Sequence, residues 1–245
     1  MAFGIFPSPA AAQQPVSITV SAAISLKDAL DELGQNFEKA HPGTSIRFNY
    51  GGSGTLQHQI EQGAPVDVFF SAAEKQMDEL ASEALIDAGT RRDIAANSLV
   101  LIVPIDSQAV GNFQDLLKPS VKIVAVGEPA SVPAGLYARQ TLDHLRLLAP
   151  IKSKLVFAKD VRQVLTYVET GNADAGLVYT TDAKISSKVQ VVAIAPASSH
   201  EPILYPAAVL RASKNMSVAR EFLDYAAGRE ARAVFEKFGF TSPEK

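Results

Sequence analysis

A chain of 245 residues with 23 Lys and Arg against 26 Asp and Glu, a formal net charge of −3, carries no electrostatic footprint for nucleic acid. It has no cysteine, which excludes disulfides, thiolate metal sites and a Cys nucleophile, and its four histidines (His41, His58, His144 and His200) are scattered without ligand-like spacing. With 47% hydrophobic residues it can bury a full core as one large domain or two small ones, and no apolar run is long enough to span a bilayer.

Residues 1–15 differ in character, being Ala, Pro, Ser and Gln with a few apolar side chains. Ala10-Ala11-Ala12-Gln13 resembles the small-residue cleavage region of a secretory signal, although the basic segment is missing and the apolar part is short. The segment is therefore read as a truncated or altered export signal, or a disordered tail, and the mature chain as exported.

Residues 16–20 alternate apolar and β-branched side chains and predict a strand. A helix is expected from Ser25, with Leu26, Ala29, Leu30, Leu33, Phe37 and Ala40 on one face, Ser25 as N-cap, Asp28 completing a weak capping box, and Pro42-Gly43 as the stop. Residues 45–49 read as a strand, followed by the loop Gly51-Gly52-Ser53-Gly54 and a short helix ending near Gly63. Residues 66–70 form a third strand, and Met77, Leu80, Ala81, Ala84 and Leu85 mark a third helix. This βαβαβα order implies parallel strands joined by crossover helices.

The same grammar restarts after an apolar run at 98–103. It predicts a short helix at 113–117, a strand at 121–126, and a helix at 133–148 with Pro133 in its first turn. A strand at 155–158 and a helix at 160–169 follow, then strands at 175–179, 189–194 and 203–210 and a helical pair over 217–238. Crossovers near 97–103 and 195–204 would make two lobes, with the C-terminal forty residues rejoining the first. A ligand would then lie between the lobes, where strands end and helices begin.

Several strand-to-helix junctions offer hydrogen-bond donors. Ser25 and Ser53 each place a hydroxyl and nearby amides at a helix start, Val132-Pro133-Ala134-Gly135 offers the Ala134 and Gly135 amides, and Val161 follows a capping Asp160. Tyr179 ends a strand with a hydroxyl. Each alone is an ordinary cap or a satisfied core residue, but their recurrence at one topological position points to an anion site. Lys27, Lys159 and Arg162 lie near these junctions and read as solvated surface charge.

The segments ITVSAAISLKDAL (18–30), GGSGTL (51–56), GAPVDVFFSA (63–72), NSLVLIVP (97–104), VGEPASVPAGLYA (126–138), DVRQVLTYVETGNADAGLVYTTDA (160–183) and YPAAV (205–209) occur in order at suitable distances. Together they resemble the periplasmic molybdate-binding proteins, the substrate-binding subunits of bacterial ABC transporters for molybdate. The resemblance runs from residue 16 to the closing FEKFGF (235–240). It implies an α/β, two-lobed periplasmic-binding-protein fold of type II, each lobe a mixed, mainly parallel sheet flanked by helices, with the cleft between them. The lobes would be residues 16–96 with 205–245, and 97–204.

It further implies binding of molybdate and tungstate in the periplasm and delivery to a membrane permease, by a monomer with no catalytic activity, no cofactor and no nucleic-acid partner. Carried over residue by residue, the oxyanion contacts are Ser25, Ser53, Ala134, Val161 and Tyr179, which hold the ion through its oxygens with no direct bond to the metal. Ile24 and the glycines around Ser53 depart from the family pattern. Gly52 and Gly54 keep the amides accessible and are expected to loosen the loop. A different tetrahedral oxyanion, sulfate or phosphate, fits the same grammar. An enzyme on this frame finds less support, since no G-x-S-x-G elbow, Walker loop or paired base is present.

Overall fold

A computed structural model describes residues 15–243, so the export-signal reading of residues 1–14 lies outside the described residues. In chain order the strands are β1 (Val16–Ala23), β2 (Thr44–Gly51), β3 (Val68–Phe70), β4 (Arg92–Ala96) and β5 (Leu99–Pro104). They continue with β6 (Val124–Gly127), β7 (Leu155–Ala158), β8 (Ala175–Tyr179), β9 (Val189–Ile194) and β10 (Leu204–Val209). The helices are α1 (Lys27–Ala40), α2 (Ser53–Glu61), α3 (Glu74–Ser82), α4 (Pro133–His144) and α5 (Leu148–Ile151), then α6 (Val161–Glu169), α7 (Thr180–Lys184), α8 (Met216–Ala226) and α9 (Arg229–Lys237).

Two five-stranded sheets organise the chain, ordered β2-β1-β3-β10-β4 and β7-β6-β8-β5-β9. In the first, β1 runs parallel to β2 and β3, and β10 is antiparallel to β3 and β4. In the second, β6 is parallel to β7 and β8, and β5 is antiparallel to β8 and β9. The chain passes between sheets twice, from β4 into β5 and from β9 back into β10. After the second passage α8 and α9 pack on α1 and β1.

Burial follows sheet position. The interior strand β1 buries Ile18, Val20 and Ala22 at 0% exposure on one face, while on the other Ser21 and Ala23 are buried and Ser17 and Thr19 half-buried. The edge strand β2 alternates instead, Ser45, Arg47 and Asn49 facing out and Ile46, Phe48 and Tyr50 half-buried. Strand β3 divides the two faces of its sheet. Phe70 meets Phe222 of α8 edge-on at 6.2 Å, whereas Phe69 joins a separate cluster with Leu56 and Ile60 of α2 and Met77 and Leu80 of α3.

Three sequence expectations are corrected. The first helix does not start at a Ser25 cap: residues 24–26 form a 3₁₀ turn whose N-cap is Ala23, and α1 begins at Lys27 without a side-chain cap. The helix expected over 133–148 ends at His144, because Arg146 adopts a left-handed φ of 60° and interrupts it before the short α5. Strand β4 has no counterpart among the strands expected from sequence; its Arg-Asp start is solvent-exposed, so no apolar alternation marks it.

Candidate functional site

The strand ends of both sheets and the first turns of α2, α4 and α6 converge on one small cavity between the lobes, of about 10 Å³. It admits a compact guest and no extended organic ligand. Ser25, Ser53, Ala134, Val161 and Tyr179 all line it, and none is more than 3% exposed. All five residues singled out from sequence are thus brought together, two from the first lobe and three from the second. Among the described residues lining the cavity there is no charged side chain.

Each of the five presents a donor. The Val161 amide lies in the first turn of α6, where no intrahelical acceptor exists. The next cap site in that helix is filled from within: the Gln163 amide donates to Asp160 Oδ1 at 2.8 Å, as the sequence predicts, so this carboxylate is tied to its own helix. The Ala134 amide is placed likewise behind Pro133. Gly135 is different from expectation, because its amide donates to the Val132 carbonyl at 2.9 Å and is not available to a guest.

The hydroxyls are held by the surrounding fold. Ser53 Oγ accepts the Ala72 amide at 3.0 Å, which leaves its own proton directed elsewhere. Ser25 Oγ lies 3.3 Å from Tyr205 Oη. Tyr179 Oη is buried and has no hydrogen-bond partner among the described residues. Burial, reinforced by neighbouring Tyr205 and Tyr137, raises the Tyr179 pKa well above the usual phenol value, so the group is a neutral O–H donor.

The loop around Ser53 is a contact between lobes and not a loosened segment. The Gly54 amide donates to the Ser131 carbonyl at 2.9 Å across the cleft. A Cβ at Gly54 would stand 2.8 Å from Ser131 Cα, and one at Gly52 would stand 3.0 Å from the Lys159 carbonyl oxygen. Glycine is needed at 54 for this close approach, not for an unusual dihedral.

Arg162 also departs from expectation. Its guanidinium donates to the fully buried Asp182 at 2.6 Å and, across the cleft, to Asp28 at 2.7 Å. Burial pushes the Asp182 carboxyl up to about 6, against the guanidinium, which pulls it down. Arg162 therefore ties the lobes together beside the cavity and is not a solvated charge. Lys27 does behave as expected, in an exposed pair with Asp31.

Because Asp28 is partly exposed, its bridge is worth about 1 kcal/mol or less. Asp28→Asn should lower the ligand-free stability by about 1 kcal/mol at most and speed release of a bound guest by up to about fivefold. Stopped-flow dissociation measures this. An unaltered release rate would mean that the bridge does not hold the closed form.

Local pattern did not single out Asn97, Tyr205, Asp28 or Asp182 as neighbours of the site. Asn97 and Tyr205 fall within the NSLVLIVP and YPAAV segments, and the only available signal was their place at the two passages between sheets.

The profile of the family described as "Bacterial extracellular solute-binding protein" matches residues 18–241. YvgL of Bacillus subtilis (strain 168), provisionally named an ABC transporter substrate-binding lipoprotein, is 47% identical over 94% of this chain and 88% of its own length. The molybdate-binding protein ModA of Escherichia coli (strain K12) is 40% identical over 91% of this chain and 88% of its own. Among solved structures, the periplasmic molybdate-binding protein of Azotobacter vinelandii superposes with a TM-score of 0.84 at 28% identity, covering 93% of this chain and 100% of that one. The two-lobed periplasmic-binding-protein fold expected from sequence is the fold of these relatives.

Proposed function

This chain belongs to the bacterial extracellular solute-binding proteins, and we propose that it binds molybdate or tungstate in the cavity between the lobes and delivers it to the permease of an ABC transporter. The ion is held through its oxygens by the hydroxyls of Ser25, Ser53 and Tyr179 and the amides of Ala134 and Val161. The lobes are residues 16–96 with 205–245, and 97–204, and they hinge at the two passages between sheets. The protein works in the periplasm as a monomer, without cofactor, nucleic acid or catalysis. Among the described residues neither Ser25 nor Ser53 has a general base within hydrogen-bonding reach, which supports binding over catalysis.

The observation that carries the reading is the Tyr179 hydroxyl, a buried donor without a partner, aimed into an uncharged cavity of donors. An unpaired buried hydroxyl costs about 1–3 kcal/mol, which an anion's oxygen would recover. Helix first turns supply the compensating positive potential without a lysine or arginine. Such a site disfavours phosphate, whose own proton would find no acceptor. Sulfate has the right charge but is smaller, and tungstate nearly matches molybdate in size.

Tyr179→Phe separates the two sides of this argument. It should leave the ligand-free protein equally or more stable, since it removes an unsatisfied polar group, while weakening molybdate binding about tenfold or more. Thermal unfolding with and without molybdate reads both. If the ligand-induced shift matches that of the unaltered protein, Tyr179 is not a ligand.

A further inference from the structure

Ser25 is connected to a hydrogen-bond chain that begins outside the cavity. The carboxamide of Asn97 has a fixed orientation, because its Oδ1 accepts the Ser98 amide at 2.9 Å. Its Nδ2 protons therefore go to Thr181 Oγ1 at 2.9 Å and to Tyr205 Oη at 3.1 Å. Tyr205 is fully buried, and with an oxygen already accepting from Asn97 its own proton has Ser25 Oγ as acceptor at 3.3 Å. Ser25 Oγ, once it accepts from Tyr205, has its proton left for the cavity. The second serine is set by the same logic from a different source, the Ala72 amide.

We propose that Asn97 and Tyr205 are specificity-determining positioning residues, which fix Ser25 as a donor and thereby exclude oxyanions that carry a proton. The inference rests on the oxyanion reading above and adds to it the groups that set the sign of the site. The serine hydroxyl alone is ambivalent, able to donate or accept. Exclusion of a protonated guest thus depends on a residue at the passage between sheets that never touches the guest. Asn97 also ties Tyr205 of the first lobe to Thr181 of the second, so the wiring is complete only when both lobes are in place.

The probe pair is selenate and hydrogen arsenate in mildly alkaline buffer, two tetrahedral dianions of similar size that differ by one proton. Each is measured by calorimetric displacement of molybdate. The unaltered protein should prefer selenate. Tyr205→Phe removes the donor to Ser25, and Asn97→Asp reverses the chain by offering Tyr205 an acceptor. Both should narrow the selenate-over-arsenate preference by about tenfold, the scale of one hydrogen bond. Loosening of the fold or added negative charge would weaken both anions alike and leave their ratio unmoved.

Asn97→Asp keeps the shape of the side chain, so it decides the matter should Tyr205→Phe not fold. An unchanged ratio in the folded variants overturns the proposal, as does equal binding of the two anions by the unaltered protein. Failure of the unaltered protein to bind molybdate at all is a separate result, and it overturns the oxyanion reading itself.

Discussion

Gly135→Ala is expected to destabilise the protein strongly and to impair binding, although Gly135 donates nothing to the cavity. A Cβ there would stand 2.1 Å from the Gly127 carbonyl oxygen and 2.4 Å from its carbon, both backbone atoms at the end of β6. No rotamer change relieves that contact, so the first turn of α4 must move away from the sheet. Overpacking of this kind costs about 3 kcal/mol, which lowers the unfolding midpoint by about 6–12 °C in a chain of this size. The same movement withdraws the Ala134 amide, and loss of one hydrogen bond to a charged group weakens binding by about tenfold or more. Gly89→Ala is the control: its nearest neighbour is Asp87 Oδ1 at an ordinary 3.5 Å, and its effect should stay within about 0.5 kcal/mol. Equal midpoints for the two variants would show that α4 does not rest on Gly127 as described.

Ser53→Ala should cost more at the site than a single lost contact. Ser53 Oγ accepts the buried Ala72 amide, and in the proposed site its own proton goes to the ion, so its removal orphans one donor and deletes another. The expected loss of molybdate affinity is about ten- to a hundredfold, with about 1–3 kcal/mol of ligand-free stability lost besides. Calorimetry and denaturant unfolding read the two separately. A stability loss without an affinity loss would leave Ser53 as a structural residue only.

The part of the site legible in the sequence is the part that depends on local chain direction. Ser53, Ala134 and Val161 sit where a strand ends and a helix begins, and first-turn amides are uncovered there whatever the tertiary context. The strands β7, β8 and β9 were legible to the residue because Val and Leu runs with turn residues at both ends leave little freedom. Ser25 lines the cavity without being the cap that its sequence suggests: its hydroxyl lies against Tyr205, which is 180 residues away in sequence.

What could not be read is what the two crossings of the chain bring together. Arg162 has the look of a surface charge in DVRQVLTYV until Asp28 of the other lobe and the buried Asp182 are placed beside it. Gly52 and Gly54 suggest a flexible loop until Ser131 is found against them. Asn97 shows as a polar residue at a strand edge until Thr181 and Tyr205 meet its Nδ2. Each of these is a long-range pairing without local signature, and each lies at the junction of the lobes.

The most direct test of the central claim is calorimetric titration of the purified, anion-free protein with molybdate, tungstate, sulfate and phosphate in turn. One-to-one binding of molybdate and tungstate with comparable affinity, and no heat from phosphate, is the predicted result, since in the proposed site the hydroxyls and amides act as donors and leave a bound proton without an acceptor. Binding of phosphate in preference to molybdate, or no binding of any of the four, would contradict it.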